Sequence, residues 1–215
     1  MILTAALPAI LVFFWLRSRN PPITLPWFLL SFAAGIISFI VAAMIQVFFI
    51  QKKNEGVWPV LFNIFIRIAM IEEASRIIAI IPFFGVAKNR RKNIAFGAAI
   101  GLIAGLGFAV IESAYYGIAN LNIALLRIFT AVPLHAACGI RAGTVVFVAP
   151  LHLAKALFLF ISSVLIHGAC NLMIVSPAIP SFLAIPTALV AFFASIYYLS
   201  DSYSNANPVM PQKKI

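Results

Sequence analysis

Two adjacent acids, Glu72 and Glu73, stand in the middle of a long apolar run. The chain has only five acidic residues, and a third, Glu112, also lies in a stretch apolar enough to cross a membrane. An ionised carboxylate at the centre of a bilayer costs roughly 3 kcal/mol or more, so such residues are candidates for function. His135 and His167 lie at similar depth in two further apolar runs. Together these side chains point to hydrolytic or metal chemistry inside a membrane, or to a proton path.

Arg76 follows Glu72 by four residues and Glu73 by three, within pairing reach of both on a helix. An arginine there can keep one carboxylate ionised while burial favours the neutral form of the other. Two carboxylates whose protonation states differ in this way suit a general base that activates water. The structural alternative is an ion pair that only stabilises the protein.

His167 and Asn171 are four residues apart, so their side chains point the same way on a helix. They can donate hydrogen bonds to a developing oxyanion. Alternatively, His167 binds a metal and Asn171 fixes its ring. Glu112 can act as a metal ligand, as an acid or base, or as an acceptor that orients a neighbour.

The elements that must position these groups are membrane helices. The 215-residue chain is 64% hydrophobic and 9% charged, with a mean hydropathy of +1.10, whereas a soluble domain is about 25% charged. A helix needs about 20 apolar residues to cross a bilayer. Seven candidate runs cover 1–16, 25–50, 57–84, 94–119, 122–150, 154–175 and 181–199. We expect an all-α polytopic membrane helical bundle with about seven transmembrane helices, because lipid offers backbone groups no other hydrogen-bond partners.

We expect one integral membrane domain over 1–200, followed by a disordered cytoplasmic tail over 201–215. The first run lacks a basic n-region and a cleavage site, so we interpret it as a retained helix. Three basic clusters fall on one side of a seven-span chain, whereas the other side carries mainly two lysines offset by one acid. The three clusters are Arg17 and Arg19, then Lys88, Arg90, Arg91 and Lys92, then Lys213 and Lys214; the opposing group is Lys52, Lys53 and Glu55. The positive-inside rule places the N-terminus outside the plasma membrane and the C-terminus in the cytoplasm. The opposite orientation follows if the first run does not insert.

The formal net charge of +10 is explained by this topology and by attraction to anionic lipid. No interleaving of aromatic and basic residues indicates a nucleic-acid surface, so we expect no nucleic-acid partner.

Glycines indicate which span lies at the centre of the bundle. Gly97, Gly101 and Gly105 recur every four residues in the fourth run, a spacing that lets another helix approach closely. Glu112, in the same span, then lies where it is shielded from lipid. It is about six residues past the span's midpoint, or about 9 Å along the axis, so it joins the other polar groups only if the helices tilt or the boundaries shift.

These elements, in this order, resemble the PrsW family of intramembrane proteases, within the broader CAAX-protease and bacteriocin-processing superfamily. The resemblance covers roughly 67–175 and implies a membrane-embedded endopeptidase whose site lies among four helices, in a core of about 57–175. The matching pieces are Glu72-Glu73-Ala-Ser-Arg76, Gly105-x-Gly107-Phe108-Ala-x-x-Glu112, Arg127 with Ala131-Val132-Pro133-x-His135-x-x-x-Gly139, and His167-Gly168-x-x-Asn171.

The resemblance also implies a role for each matching residue. Glu72 or Glu73 activates water, and Arg76 supports it. His167 and Asn171 stabilise the tetrahedral oxyanion.

Glu112 stands where the CAAX-protease branch uses histidine, which favours the PrsW branch. Ser113 departs from the asparagine usual at that place, so the role of this position in the family does not carry over. Family members are often called metalloproteases, whereas CAAX-branch relatives look like glutamate proteases. Glu112, His135 and His167 form a nitrogen and oxygen set suited to zinc, and they can equally work without metal.

The function that these features favour is proteolysis of a membrane-anchored protein substrate in the lipid bilayer. Family analogy suggests an anti-sigma-factor-like protein or another signalling precursor. A proton-coupled transporter or channel would use the same Glu, His and Arg residues as a relay, but no repeat pair or broken helix pair supports it. A catalytically silent scaffold and a lipid-modifying enzyme are the remaining alternatives.

Overall fold

All regular structure is helical in the residues described by the computed structural model, which are 2–20, 22–49, 56–87, 93–117 and 126–206. The elements are α1 (Ile2–Arg17), α2 (Leu25–Phe48), α3 (Val57–Phe62), a π-helical segment (Asn63–Met70), α4 (Ile71–Val86), α5 (Ile94–Gly117), α6 (Ala131–Val148), α7 (Leu153–Val175), a 3-10 turn (Ser181–Leu183) and α8 (Ala184–Ala206). The predicted all-α membrane bundle is confirmed.

Five helices in the described part of the chain are long and apolar enough to cross a membrane. They are Leu25–Phe48, Ile94–Tyr116, Leu126–Val148, Leu153–Val175 and Ser181–Asn205. The predicted span 1–16 corresponds to α1, whose described apolar part is the shorter Leu7–Arg17. The predicted span 57–84 forms three helical segments that follow one another without a break. Its charged residues exceed the number expected in a purely apolar span. By length and composition alone, the described residues therefore support five spans, and the crossing of the membrane by α1 and by 57–84 stays a prediction.

The centre of the bundle is the pair α5 and α6. In the apolar 18-residue stretch of each helix, 89% of the residues are buried in α5 and 94% are buried in α6. A Cβ atom added at Gly101 would overlap the carbonyl oxygen of Gly139, and one added at Gly105 would overlap that of His135. Only glycine allows the two backbones to lie this close. The predicted central place of the fourth span is confirmed.

The outer helices expose apolar side chains around this pair. In the corresponding apolar stretches, only 28% of the residues are buried in α2, 22% in α7 and 28% in α8. Large exposed side chains on them include Met44, Phe158 and Val190. Such a surface is stable against lipid tails and not against water.

The last helix is longer than the sequence indicates. α8 continues to Ala206, so the first part of the tail expected at 201–215 is helical. Residues 207–215 lie outside the described residues. The same holds for 51–55 and 88–92, so only the Arg17 and Arg19 cluster of the predicted charge asymmetry is described.

Candidate functional site

Arg76 of α4 connects two other predicted site residues. Its side chain is fully buried, and its Nη1 donates to Glu73 Oε2 at 2.5 Å. Its Nη2 lies 3.0 Å from His135 Nδ1 on α6. Arginine has no acceptor, so Nδ1 must accept this bond. The guanidinium also lies over the Phe108 ring of α5, 4.6 Å from its centroid, so one cation joins three helices.

His135 transmits this contact to Glu112. Because Nδ1 accepts from Arg76, a neutral ring carries its proton on Nε2, which donates to Glu112 Oε2 at 2.6 Å. The same Glu112 oxygen lies 2.5 Å from Arg127 Nη2. Glu112 therefore joins the polar cluster despite its offset of about 9 Å along α5. Phe108, one turn earlier, packs its ring 4.6 Å from the His135 ring, which places this face of α5 against α6.

His167 of α7 lies between the two adjacent carboxylates. Its Nδ1 is 2.8 Å from Glu73 Oε1, and its Nε2 is 3.5 Å from Glu72 Oε2. A carboxylate only accepts, so Nδ1 is the donor to Glu73. Glu73 thus has one oxygen bound by Arg76 and the other by His167. Glu72 Oε2, in contrast, is buried and has no hydrogen-bond partner.

Gln46 of α2 is a site residue that the sequence analysis missed. Its Nε2 donates to the other oxygen of Glu72, Oε1, at 3.2 Å. Its backbone carbonyl accepts from Arg67 Nε at 3.4 Å and Nη2 at 3.1 Å, and Arg67 Nη1 donates to Asn63 Oδ1 at 2.7 Å. Arg67 and Asn63 belong to the π-helical segment, a helix form that is frequent at functional sites. A lone amide in the apolar α2 was the available signal.

A cavity of about 260 Å³ opens beside these groups. Its walls come from α2, from the π-helical segment, from the start of α4, which carries Glu72, and from the end of α5, which carries Glu112. The lining residues are Phe39, Ala42, Ala43, Gln46, Val47, Arg67, Glu72, Glu112, Tyr115 and Tyr116. A space of this size with several polar walls can hold water.

Asn171 is not joined to this network. It lies one turn beyond His167 on α7 and is half-buried. No hydrogen bond links its carboxamide to another described residue. Its predicted role at an oxyanion therefore stays a prediction.

Comparison with known families identifies the family to which the chain belongs. The family model described as PrsW family intramembrane metalloprotease matches residues 23–199. The chain belongs to the PrsW family. It is therefore an intramembrane protease. No curated protein and no solved structure gives a significant match to the chain.

The PrsW match is wider than the motif-bearing part of the sequence. It begins before α2 and ends within α8, two helices in which no motif was recognised. The contact of Gln46 with Glu72 gives a physical reason for α2 to belong to the PrsW unit. The wider placement among CAAX proteases stays a prediction.

The metal that the PrsW family description implies has a suitable set of donors. One ligand atom each from Glu72, His135 and His167 lies within 4.8 Å of the others. This group contains Glu72 and not Glu112, which the sequence analysis named as a ligand. Glu112 Oε2 instead contacts Arg127 Nη2 and His135 Nε2, and its expected metal role stays a prediction. Two features of the site bear on whether these residues fit a metal ion.

The first observation is the unpartnered Glu72 Oε2, 3.5 Å from His167 Nε2. Two ligands of one tetrahedral zinc ion, each about 2.0–2.1 Å from the metal, lie about 3.3 Å apart. The second is the bond from His167 Nδ1 to Glu73, the carboxylate contact that commonly orients a metal-bound histidine. Both ring nitrogens of His135 have hydrogen-bond partners, so His135 would give up one of these bonds to bind a metal. The residues fit a zinc-type ion.

Proposed function

We propose that this PrsW-family protease hydrolyses a peptide bond of a membrane-anchored protein, and that Glu72 and His167 contact the reacting water. The observation that carries the proposal is the buried, unpartnered Glu72 Oε2, which faces His167 Nε2 at 3.5 Å. A buried acceptor without a partner costs about 1–3 kcal/mol. Its retention beside a cavity is explained by a water or ligand that it binds during function.

Glu72 is the general base in this proposal, and Glu73 is not. The base needs an oxygen that can approach the water, and only Glu72 has one without a hydrogen bond. Both Glu73 oxygens are taken by Arg76 and His167. Glu73 holds His167 Nδ1 as the donor, so Nε2 of the neutral ring points its lone pair towards Glu72. One water molecule can contact Glu72 Oε2 and His167 Nε2 together.

The remaining charged groups hold Glu73 and the His135 ring, both of which contact His167. Arg76 balances the charge of Glu73 and fixes the His135 ring through Nδ1. Glu112 fixes the same ring through Nε2, and Arg127 balances Glu112. A catalytic pair held in this way needs little reorganisation when the substrate binds.

If a metal is bound, Glu72, His135 and His167 are the residues that would hold it, and Glu72 would then act as a ligand and not as the general base. A zinc ion there would supply Lewis-acid activation of the reacting water and of the scissile carbonyl. Asn171, whose carboxamide is free of bonds to other described residues, is proposed to donate to the oxyanion. The proposed substrate is an anti-sigma-factor-like or other signalling precursor, on family analogy alone.

The test is cleavage by the full chain in proteoliposomes that also contain a library of single-pass membrane proteins. Wild type is compared with Glu72→Gln and with a matched control, Asp201→Asn, which changes an exposed acid at the end of α8. We expect wild type and the control to cleave at the same rate, and Glu72→Gln to lose about 10²–10⁴-fold in rate, which is the usual contribution of a general base. Cleavage by Glu72→Gln at the wild-type rate would remove Glu72 from the mechanism.

Two further arms separate the alternatives. Ion or solute flux that vanishes in Glu72→Gln, without any cleavage by wild type, would favour the transporter. Loss of cleavage with a strong chelator and recovery with zinc supports the metal at Glu72, His135 and His167. Insensitivity to both supports a glutamate protease.

A further inference from the structure

Arg141 is an intramembrane cation without a carboxylate partner among the described residues. It lies on α6, six residues after His135. Its Nη1 donates to Ser195 Oγ on α8 at 2.7 Å and to the carbonyl oxygen of Ala137 at 3.2 Å. Both acceptors are neutral, so neither balances the charge.

The acids of this chain do not supply a counter-charge to Arg141. Three of the five acidic residues belong to the site described above. Asp201 is exposed near the end of α8, where one of its oxygens accepts from Asn205. Glu55 lies outside the described residues. A charged side chain in a membrane is costly unless it is paired or reaches the interface, so an anion from outside the chain is the expected partner.

A crevice of about 280 Å³ gives such an anion access to Arg141. Ile140 and Arg141 of α6 form its floor, Phe158 and Leu159 of α7 form one wall, and Tyr198 of α8 contributes to the other. Phe158 is 71% exposed on the outer surface of the bundle. The mouth of the crevice therefore opens towards lipid, and its walls are mainly apolar.

A second cation lies near the same end of these helices. Lys155, in the first turn of α7, is exposed, and its Nζ is 6.0 Å from the centroid of the Tyr198 ring. Tyr198 lines both the crevice and the polar depression that contains Lys155. Arg141 is seven residues before the end of α6, about 10 Å below that end. Lys155 thus lies at the helix ends, in the depression, and Arg141 lies deeper, in the crevice on the other side of Tyr198.

We propose that the crevice between α7 and α8 binds an anionic phospholipid. Its phosphate lies between Arg141 and Lys155, and an acyl chain packs along Phe158 and Leu159. A guanidinium and an ammonium suit a phosphate, and basic pockets between transmembrane helices bind such headgroups. The apolar walls and the opening towards lipid favour a phospholipid over free phosphate. The site does not depend on the proposed function, because none of its residues belongs to the carboxylate and histidine cluster.

The test measures lipid selectivity of the full chain, purified in a neutral detergent. The protein is incubated with equal amounts of phosphatidylglycerol and phosphatidylcholine with the same acyl chains, and native mass spectrometry gives the ratio bound. We expect wild type to retain phosphatidylglycerol in preference, and excess inorganic phosphate not to displace it. Equal retention of the two lipids, or displacement by inorganic phosphate, would overturn the proposal.

Three variants locate the selectivity. Arg141→Gln is expected to lower the ratio about tenfold, as expected when one charged hydrogen bond is lost. Lys155→Gln, at an exposed position that folding tolerates, is expected to lower it severalfold. Arg17→Gln removes an exposed cation from α1 and is expected to leave the ratio unchanged. An unchanged ratio in Lys155→Gln or in folded Arg141→Gln, or a fall in Arg17→Gln as large as theirs, would contradict the site.

Discussion

Replacing Arg76 with methionine tests whether one buried cation holds the catalytic cluster together. Arg76 is 0% exposed, and its partner Glu73 is 1% exposed. The substitution keeps much of the side-chain volume but removes the bonds to Glu73 Oε2 at 2.5 Å and to His135 Nδ1 at 3.0 Å. A buried carboxylate loses its counter-charge, and a buried ring nitrogen loses its donor.

The expected loss follows from these contacts. Removing one partner of a buried ion pair costs about 3–5 kcal/mol, because the other charge is left uncompensated. The lost bond to His135 falls within this range, since the two contacts share one guanidinium and are not additive. We therefore expect Arg76→Met to lower the free energy of unfolding by about 3–5 kcal/mol and to abolish cleavage.

The assay is equilibrium unfolding of the full chain by a denaturing detergent in mixed micelles. Arg17→Met, at an exposed position, is the matched control and should stay within about 0.5 kcal/mol of wild type. Removing both charges in Glu73→Gln/Arg76→Met should be less harmful than the sum of the single changes by about 1–3 kcal/mol. A loss below about 1 kcal/mol in Arg76→Met, or additive single changes, would refute the argument.

Two further predictions concern the packing of α5 against α6 and the contact of α2 with Glu72. Gly101→Ala should lower the free energy of unfolding by about 1–3 kcal/mol or more, because the new Cβ overlaps the carbonyl oxygen of Gly139. The control is Gly85→Ala, where an added Cβ meets nothing within 4 Å, and this change should not destabilise the protein. Equal effects of the two changes would contradict the close approach of α5 and α6. Gln46→Leu removes the bond to Glu72 Oε1 and leaves the backbone carbonyl in place. We expect kcat to fall about tenfold and the free energy of unfolding to fall by about 1–3 kcal/mol, because a buried acceptor loses its donor. An unchanged kcat would show that Glu72 needs no support from α2.

Most of the helices, and the central place of α5, were predictable from the sequence. The predicted runs 25–50 and 154–175 agree closely with Leu25–Phe48 and Leu153–Val175, because the hydropathy that excludes water from a helix is a property of consecutive residues. The glycines at four-residue spacing identified α5 as the closely packed helix for an equally local reason.

The partners within the site were less predictable. Glu112 was expected about 9 Å away along its helix axis, yet it contacts His135 at 2.6 Å. Gln46 carries no spacing pattern towards Glu72, so its contact was not anticipated. Asn171 matches a family motif but makes no bond to another described residue. In each case the outcome depends on how one helix is rotated and tilted against another, which no pattern along a single helix records.

The sequence by itself determined which polar side chains are buried in a membrane, which helix carries each and to which family the motifs point. The tertiary structure decided that Glu73 is bound at both oxygens while Glu72 Oε2 has no hydrogen-bond partner, and that Glu72 offers a ligand atom within 4.8 Å of those of His135 and His167. Whether a segment is buried in a membrane depends on its average polarity, which its residue types determine. Hydrogen bonds depend on tenths of an ångström between helices, and the packing of the whole bundle sets those distances.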